Sequence, residues 1–246
     1  MNKVRMVVVS LIALALAAVA DARLPERVLH FPSERAVGNI RVQDEDLVIP
    51  EVTTGFHPGY AYAESEFLGL AQGDVRVPAG RRVFLTLGGT GAVRQQCLET
   101  LQSLDPNALY SLSFMPPIYL DDGLMPSVVR LTGPFTDSAM THLAAMPVLR
   151  VLWLDTTNVT DAGLQWLSQS KSIERLCLHW LDKITDRGVA HLKNMPQLKG
   201  LNQVRIKTTS PISRPAIARL RMELPSLQTL EIGPPKPAKS PATRKQ

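Results

Sequence analysis

Four segments of this chain superpose without gaps, and that repetition restricts its folding more than any other feature. They run from Phe135 to Leu143, Val159 to Leu167, Ile184 to Leu192 and Ile212 to Leu220. In each, an apolar residue is followed five and then three positions later by two more, as in Val159, Leu164 and Leu167. A second pattern follows each copy. Leu149-Leu152-Leu154, Ile173-Leu176-Leu178, Leu198-Leu201 and Leu227-Leu230-Ile232 open 24, 25 and 29 residues apart. Period-two apolar spacing marks a strand with one buried face, and five-then-three spacing marks a short helix with one buried stripe. A single strand-helix unit cannot bury both stripes, whereas stacked copies can.

Punctuation agrees with that alternation. Thr136-Asp137, Thr160-Asp161 and Thr185-Asp186 provide side-chain oxygens to cap a helix, and Asp there suits the positive end of the helix dipole. In the last copy Ser213 takes the cap and Pro215 sits in the first turn, where a missing N–H costs little. Pro147, Pro196 and Pro225 stop each helix before the next strand.

Val159 to Leu164 and Ile184 to Val189 follow the I-T-D-x-G-L signature, and on these residues the chain resembles the cysteine-containing class of leucine-rich repeats. The class's namesake cysteine is missing after the strand, and Arg214-Pro215 gives the last copy a terminal, capping character. The stretch from Leu68 to Gly80 is similar to segments that precede such repeats in exported bacterial proteins. The resemblance implies an α/β right-handed solenoid, with a parallel sheet on the concave side and short helices on the convex side. The expected organisation is a signal peptide (1–20), a β-rich N-terminal cap (24–82), the solenoid (83–232, clearest over 128–232) and a basic Pro-rich tail (233–246).

Weaker strand patterns upstream are Val83-Leu85-Leu87, Leu109-Leu112-Phe114 and Val129-Leu131, with a helix around Cys97-Leu98-Leu101. About seven strands are expected in one sheet, the first three as part of it or as a separate cap. Pro78-Ala79-Gly80 suggests a hairpin turn between the runs at Val75 and Val83. Phe56, His57, Tyr60, Tyr62 and Phe67 fill the cap's core or form a ligand-stacking loop.

Charge and cysteine content exclude several classes. The formal net charge is +5, but Lys3 and Arg5 belong to a basic start that precedes the uncharged Met6 to Ala20 run, the pattern of a secretory signal peptide. That run is shorter than the ~20 residues of a bilayer span, so no stable membrane insertion is expected after cleavage and the chain reads as exported, periplasmic or secreted. Lys236, Lys239, Arg244 and Lys245 lie in the acid-free tail, leaving a body of 21 basic against 22 acidic residues. A neutral body without interleaved aromatics does not read as nucleic-acid binding. The tail reads as a solvated segment able at most to touch an anionic surface weakly. Cys97 and Cys177 fall on different faces several units apart, which predicts two free thiols.

Leucines at the fourth and sixth strand positions point inward, so residues between and beside them face the concave side. That register predicts a row of Arg130, Trp153, Cys177, Asn202 and Glu231, flanked by Val151 and Arg175 on one side and Asp155 and His179 on the other. A strip of this kind suits a protein, peptide or glycan and needs no cofactor. The leading expectation is therefore a non-catalytic binding or scaffold module. Two alternatives stand beside it: a thiol-dependent hydrolase or transferase using Cys177, His179 and Asp155, and a secreted effector resembling ubiquitin-ligase substrate receptors. His142, Trp166, His191 and Arg219 occupy one repeat position on the convex side and read as surface residues, with no metal-ligand spacing among them.

Overall fold

The computed structural model describes residues 24–47, 65–88, 92–114, 135–155, 157–179, 181, 183–204 and 212–233. Its helices are α1 (Ala92–Ser103), α2 (Asp137–Ala144), α3 (Asp161–Leu167), α4 (Asp186–His191), continued by a 3-10 turn at Leu192–Asn194, and α5 (Arg214–Glu223); α2, α3 and α4 begin at the Thr-Asp pairs and α5 after Ser213, although Thr136 makes no side-chain cap bond. Thr160 and Thr185 are extended, and their hydroxyls accept from the N–H groups of Ala162 (3.2 Å) and Arg187 (3.3 Å). Ser213 caps one residue further along, accepting from Ala216 N–H at 3.3 Å. The shift has a simple cause: the residue two beyond Ser213 is Pro215, which has no N–H to donate.

Each cap residue is also held by the unit before it. Asp137 accepts from Thr160 through both carboxylate oxygens, from N–H at 2.8 Å and from the hydroxyl at 2.7 Å. Asp161 holds Thr185 in the same way (2.7 and 2.5 Å), and Asp186 holds Ser213 (2.6 and 2.7 Å). The aspartate thus does more than complement its own helix dipole. It also explains the glycine of the motif, since a Cβ at Gly163 would lie 2.4 Å from Asp137 Oδ1 and one at Gly188 would lie 2.3 Å from Asp161 Oδ1.

Ten strands are β1 (Arg27–His30), β2 (Gly38–Asp44), β3 (Glu66–Leu70), β4 (Asp74–Val77), β5 (Arg81–Leu87), β6 (Ser111–Phe114), β7 (Val151–Asp155), β8 (Arg175–His179), β9 (Gly200–Val204) and β10 (Thr229–Gly233). Eight form one sheet in the order β10-β9-β8-β7-β6-β5-β2-β3, parallel from β5 to β10 and antiparallel across β2 and β3. The fold is therefore mixed α/β with a parallel-rich sheet. Leu85, Leu112, Leu152, Leu176, Leu201 and Leu230 stand in one register row, and the first five are at most 1% exposed. Leu87, Phe114, Leu154 and Leu178 form the next row of the same core beneath the helices.

β2 and β3, from the region expected as a β-rich cap, pair antiparallel onto the edge of the parallel strands at β5; Gly38 lets β2 approach β5, since a Cβ there would lie 1.9 Å from the Thr86 carbonyl oxygen. The turn at Pro78-Ala79-Gly80 forms, with Gly80 at φ 72°, but it does not make a hairpin. β4 pairs instead with β1 in a two-stranded sheet, while β5 pairs with β2 and β6. Local turn chemistry specifies a reversal of direction and leaves the partner to long-range packing. β6 pairs directly with β7, Leu112 opposite Leu152; the strand expected at Val129-Leu131 lies outside the described residues.

Candidate functional site

The sheet's second face carries the residues that the leucine register predicts. Trp153 stands opposite Cys177, Cys177 opposite Asn202, and Asn202 opposite Glu231; Val151 faces Arg175, and Asp155 faces His179. Arg130 lies outside the described residues, and the place beside Trp153 is taken by Ser113. For Asp155, His179, Asn202 and Glu231 the strand position is described and the side chain is not.

Exposure corrects the expectation of an open strip. Trp153 and Val151 are 4% exposed and Cys177 is 0% exposed; together they form a second small apolar cluster with Tyr110 packed against it. Phe84, Ser111 and Ser113 on the same face of β5 and β6 are also buried. Arg175 is half-buried. Alternation along a strand reports which residues share a face, but not whether that face meets water. At Phe84, Ser111, Ser113, Val151, Trp153 and Cys177 it does not, while Thr86 and Arg175 are half-buried. Burial pushes the Cys177 thiol well above its ordinary value, against the pull of Arg175. The sulfur is therefore protonated at neutral pH, without the thiolate character that a nucleophile needs. Cys97 is likewise buried and forms no disulfide; its Sγ donates to the Val37 carbonyl oxygen at 3.4 Å.

A more accessible row borders this face, one residue before each of β6 to β10. Main-chain hydrogen bonds fix it: Arg150 N–H donates to Tyr110 O (2.8 Å), Glu174 to Arg150 O (2.8 Å), Lys199 to Glu174 O (2.7 Å) and Gln228 to Lys199 O (2.8 Å). Five units thus each place one polar or aromatic side chain along a line of roughly 20 Å, from the ~4.8 Å strand spacing. Glu174 sits between two cations, 2.8 Å from Lys199 Nζ and 3.6 Å from Arg150 Nε, with side chains 32%, 47% and 35% exposed. At the other end the Arg82 guanidinium lies 4.7 Å over the half-buried Tyr110 ring, within the range of a cation–π contact. The sequence pattern missed this row because its residues share no chemistry; only the common offset from each strand's leucines marks it.

On the helical side, His142 Nε2 is 2.9 Å from the Leu101 carbonyl oxygen, and Trp166 is 46% exposed. In the N-terminal strands Phe67 is 54% exposed, so it does not fill the cap's core; Phe56, His57, Tyr60 and Tyr62 lie outside the described residues. Among the described residues no group of three His, Cys, Asp or Glu side chains is placed to hold a metal ion, and no helix is long and apolar enough to cross a membrane. A scan against protein-family models finds no match for the chain, and a search of curated proteins finds none either.

Proposed function

We propose that the chain is a leucine-rich-repeat solenoid of the cysteine-containing class, exported from the cytoplasm and acting as a non-catalytic binding module for a protein, peptide or glycan. The observation that carries this reading is the strand-entry row of Tyr110, Arg150, Glu174, Lys199 and Gln228, built by one hydrogen bond per unit. A stiff line of side chains at the strand repeat matches an extended ligand with polar groups at a similar interval. Its alternating charges favour a ligand of mixed sign over a uniform polyanion. Arg150, Glu174 and Tyr110 are partly buried, which limits the entropy lost when a partner immobilises them. In support of the solenoid reading stand the leucine row shared by β5 to β10 and the three Asp-to-cap links between successive units.

The test exchanges the charges of one exposed pair. Glu174→Lys combined with Lys199→Glu keeps the pair between these two positions but turns the contact with Arg150 into one of like charge, so a loss of about 1 kcal/mol is expected and thermal melting checks that the variant folds. Affinity capture from envelope extract, with mass-spectrometric identification, should show a partner enriched by the wild-type chain and reduced about ten-fold or more by the exchange, a loss of ~1.4 kcal/mol. Equal capture by both proteins would remove the strand-entry row as the binding surface.

A further inference from the structure

The repeat register allows the helical layer to be compared unit by unit, and the comparison shows charge accumulating at one end. The position after the last helical leucine is Ala144 in α2 and Ser168 after α3, then Lys193 after α4 and Arg221 in α5. The position before that leucine reads His142, Trp166, His191 and Arg219. The position after the capping aspartate reads Ser138 and Ala162, then Arg187; the aspartate position itself reads Asp137, Asp161, Asp186 and finally Arg214. Arg187, Lys193, Arg214, Arg219 and Arg221 are all exposed. Fold stability does not require Arg187, Lys193, Arg219 or Arg221, because side chains without a fixed positive charge (Ser138 and Ala162, Ala144 and Ser168, His142 and Trp166) serve their positions in α2 and α3. Arg214 even opposes it: α5 has no acid in its first turn and has this cation there, which is disfavoured at the positive end of a helix dipole.

Two apolar side chains flank the cations. Met222 is 78% exposed and Trp166 is 46% exposed, the two large apolar residues that the described helical layer leaves to solvent. Two acids stand against these five cations: Asp186, engaged by Ser213 and within electrostatic reach of Arg219, and the exposed Glu223, four residues after Arg219 in α5. Cations bordered by an amphipathic tryptophan and a flexible apolar residue are the combination that binds at the headgroup level of an anionic bilayer.

We propose that the outer surface of α4 and α5, with Arg187, Lys193, Arg214, Arg219 and Arg221 flanked by Trp166 and Met222, docks the protein on an anionic phospholipid surface. This goes beyond the binding module proposed above and leaves the strand-entry row free for its own ligand. The docking is peripheral: cations meet headgroup phosphates while Met222 and the indole of Trp166 enter the interface.

The test is co-sedimentation of the full chain with vesicles of phosphatidylglycerol in phosphatidylcholine, against pure phosphatidylcholine, with every variant carrying the same N-terminus so that its apolar run contributes equally. Wild type should prefer the anionic vesicles, and the preference should fall as salt is raised. Each surface cation contributes roughly five-fold, so Lys193→Glu with Arg221→Glu should weaken binding by about 25-fold or more with the tail intact. Met222→Ser should weaken it several-fold in a manner that salt does not reproduce. A chain with Lys236, Lys239, Arg244 and Lys245 all changed to Gln should keep a preference that Lys193→Glu with Arg221→Glu removes. The proposal is overturned if wild type does not prefer anionic vesicles, if the helical variant binds like wild type, or if the tail variant alone abolishes the preference. It is equally overturned if inorganic polyphosphate is bound as tightly as the vesicles and Met222→Ser changes neither. Loss of vesicle binding with partner capture intact would leave the strand-entry row standing.

Discussion

Interior and terminal units of the helical layer differ in one short motif, and the difference shows what that motif does. In α3 and α4 the order is Thr, Asp, any residue, Gly; at α5 it is Ser213, Arg214, Pro215, Ala216. The interior aspartate reaches forward and accepts two hydrogen bonds from the next cap; for Asp137 and Asp161 the glycine one unit on leaves the space it reaches into, whereas Asp186 makes the same bonds to Ser213 with Ala216 at that position. At α5 the forward-reaching acceptor is replaced by Arg214, so the chain of links ends on Ser213. A sequence signature that looks like a capping device for one helix is equally a joint between two.

The largest expected effect that separates the two regions is Asp161→Ala. It leaves the Thr185 N–H and hydroxyl without their charged acceptor, at a cost of about 3 kcal/mol. Arg214→Ala at the matching terminal position should stay within about 0.5 kcal/mol. Urea denaturation of the two variants checks the contrast, and equal losses would dissolve it.

Next comes Gly188→Ala. In an open helix this change gains about 1 kcal/mol. Here the new Cβ meets Asp161 Oδ1 at 2.3 Å and Asp161 Cα at 3.1 Å, so a loss of about 2 kcal/mol is expected. Ala216→Gly, at the matching position beyond Asp186, should also destabilise, by about 1 kcal/mol, through helix propensity. The double variant Asp161→Ala with Gly188→Ala should fall short of the sum of its parts, since the first change empties the space the second needs. Additive losses would mean that glycine is required for some reason other than the aspartate.

A smaller effect, about 1 kcal/mol, is expected for Ser213→Ala, which removes the α5 cap and one of the two Asp186 bonds. The smallest is a change in pH dependence. Hydrogen bonds from the Ser213 hydroxyl and N–H hold the Asp186 carboxyl below its ordinary value, with Arg219 adding to the effect and desolvation opposing it. A carboxyl whose pKa is lower folded than unfolded contributes stability that is present above the unfolded value and lost as pH falls through the folded one. Asp186→Asn should therefore narrow the gap between melting temperatures measured at neutral pH and below pH ~4, the ordinary carboxylate range. A gap unchanged by the substitution would assign the acid sensitivity to other groups.

Much of this was legible because it is local. A cap needs a hydroxyl at the right step, a short helix needs one apolar stripe, and a strand needs alternation; Thr160, Leu164, Leu167 and Leu176 carry these requirements in their spacing. The strand-entry row was not legible, because Tyr110, Arg150, Glu174, Lys199 and Gln228 are unlike one another and acquire a common role only when main-chain bonds align them. The predicted concave strip was legible as a register and, at Val151, Trp153 and Cys177, misread as a surface. Trp153 and Cys177 do stand side by side, but in a small apolar cluster.

The sequence by itself determined the order of strands and helices along the repeats, the face to which each leucine turns and the point at which the motif ends, since these depend on periodicity and on contacts within a few residues. Only the tertiary structure decided that Asp161 belongs as much to Thr185 as to its own helix, that β4 leaves β5 for β1, and that Trp153 is enclosed. These outcomes depend on which distant segments meet, and periodicity carries no record of the partner.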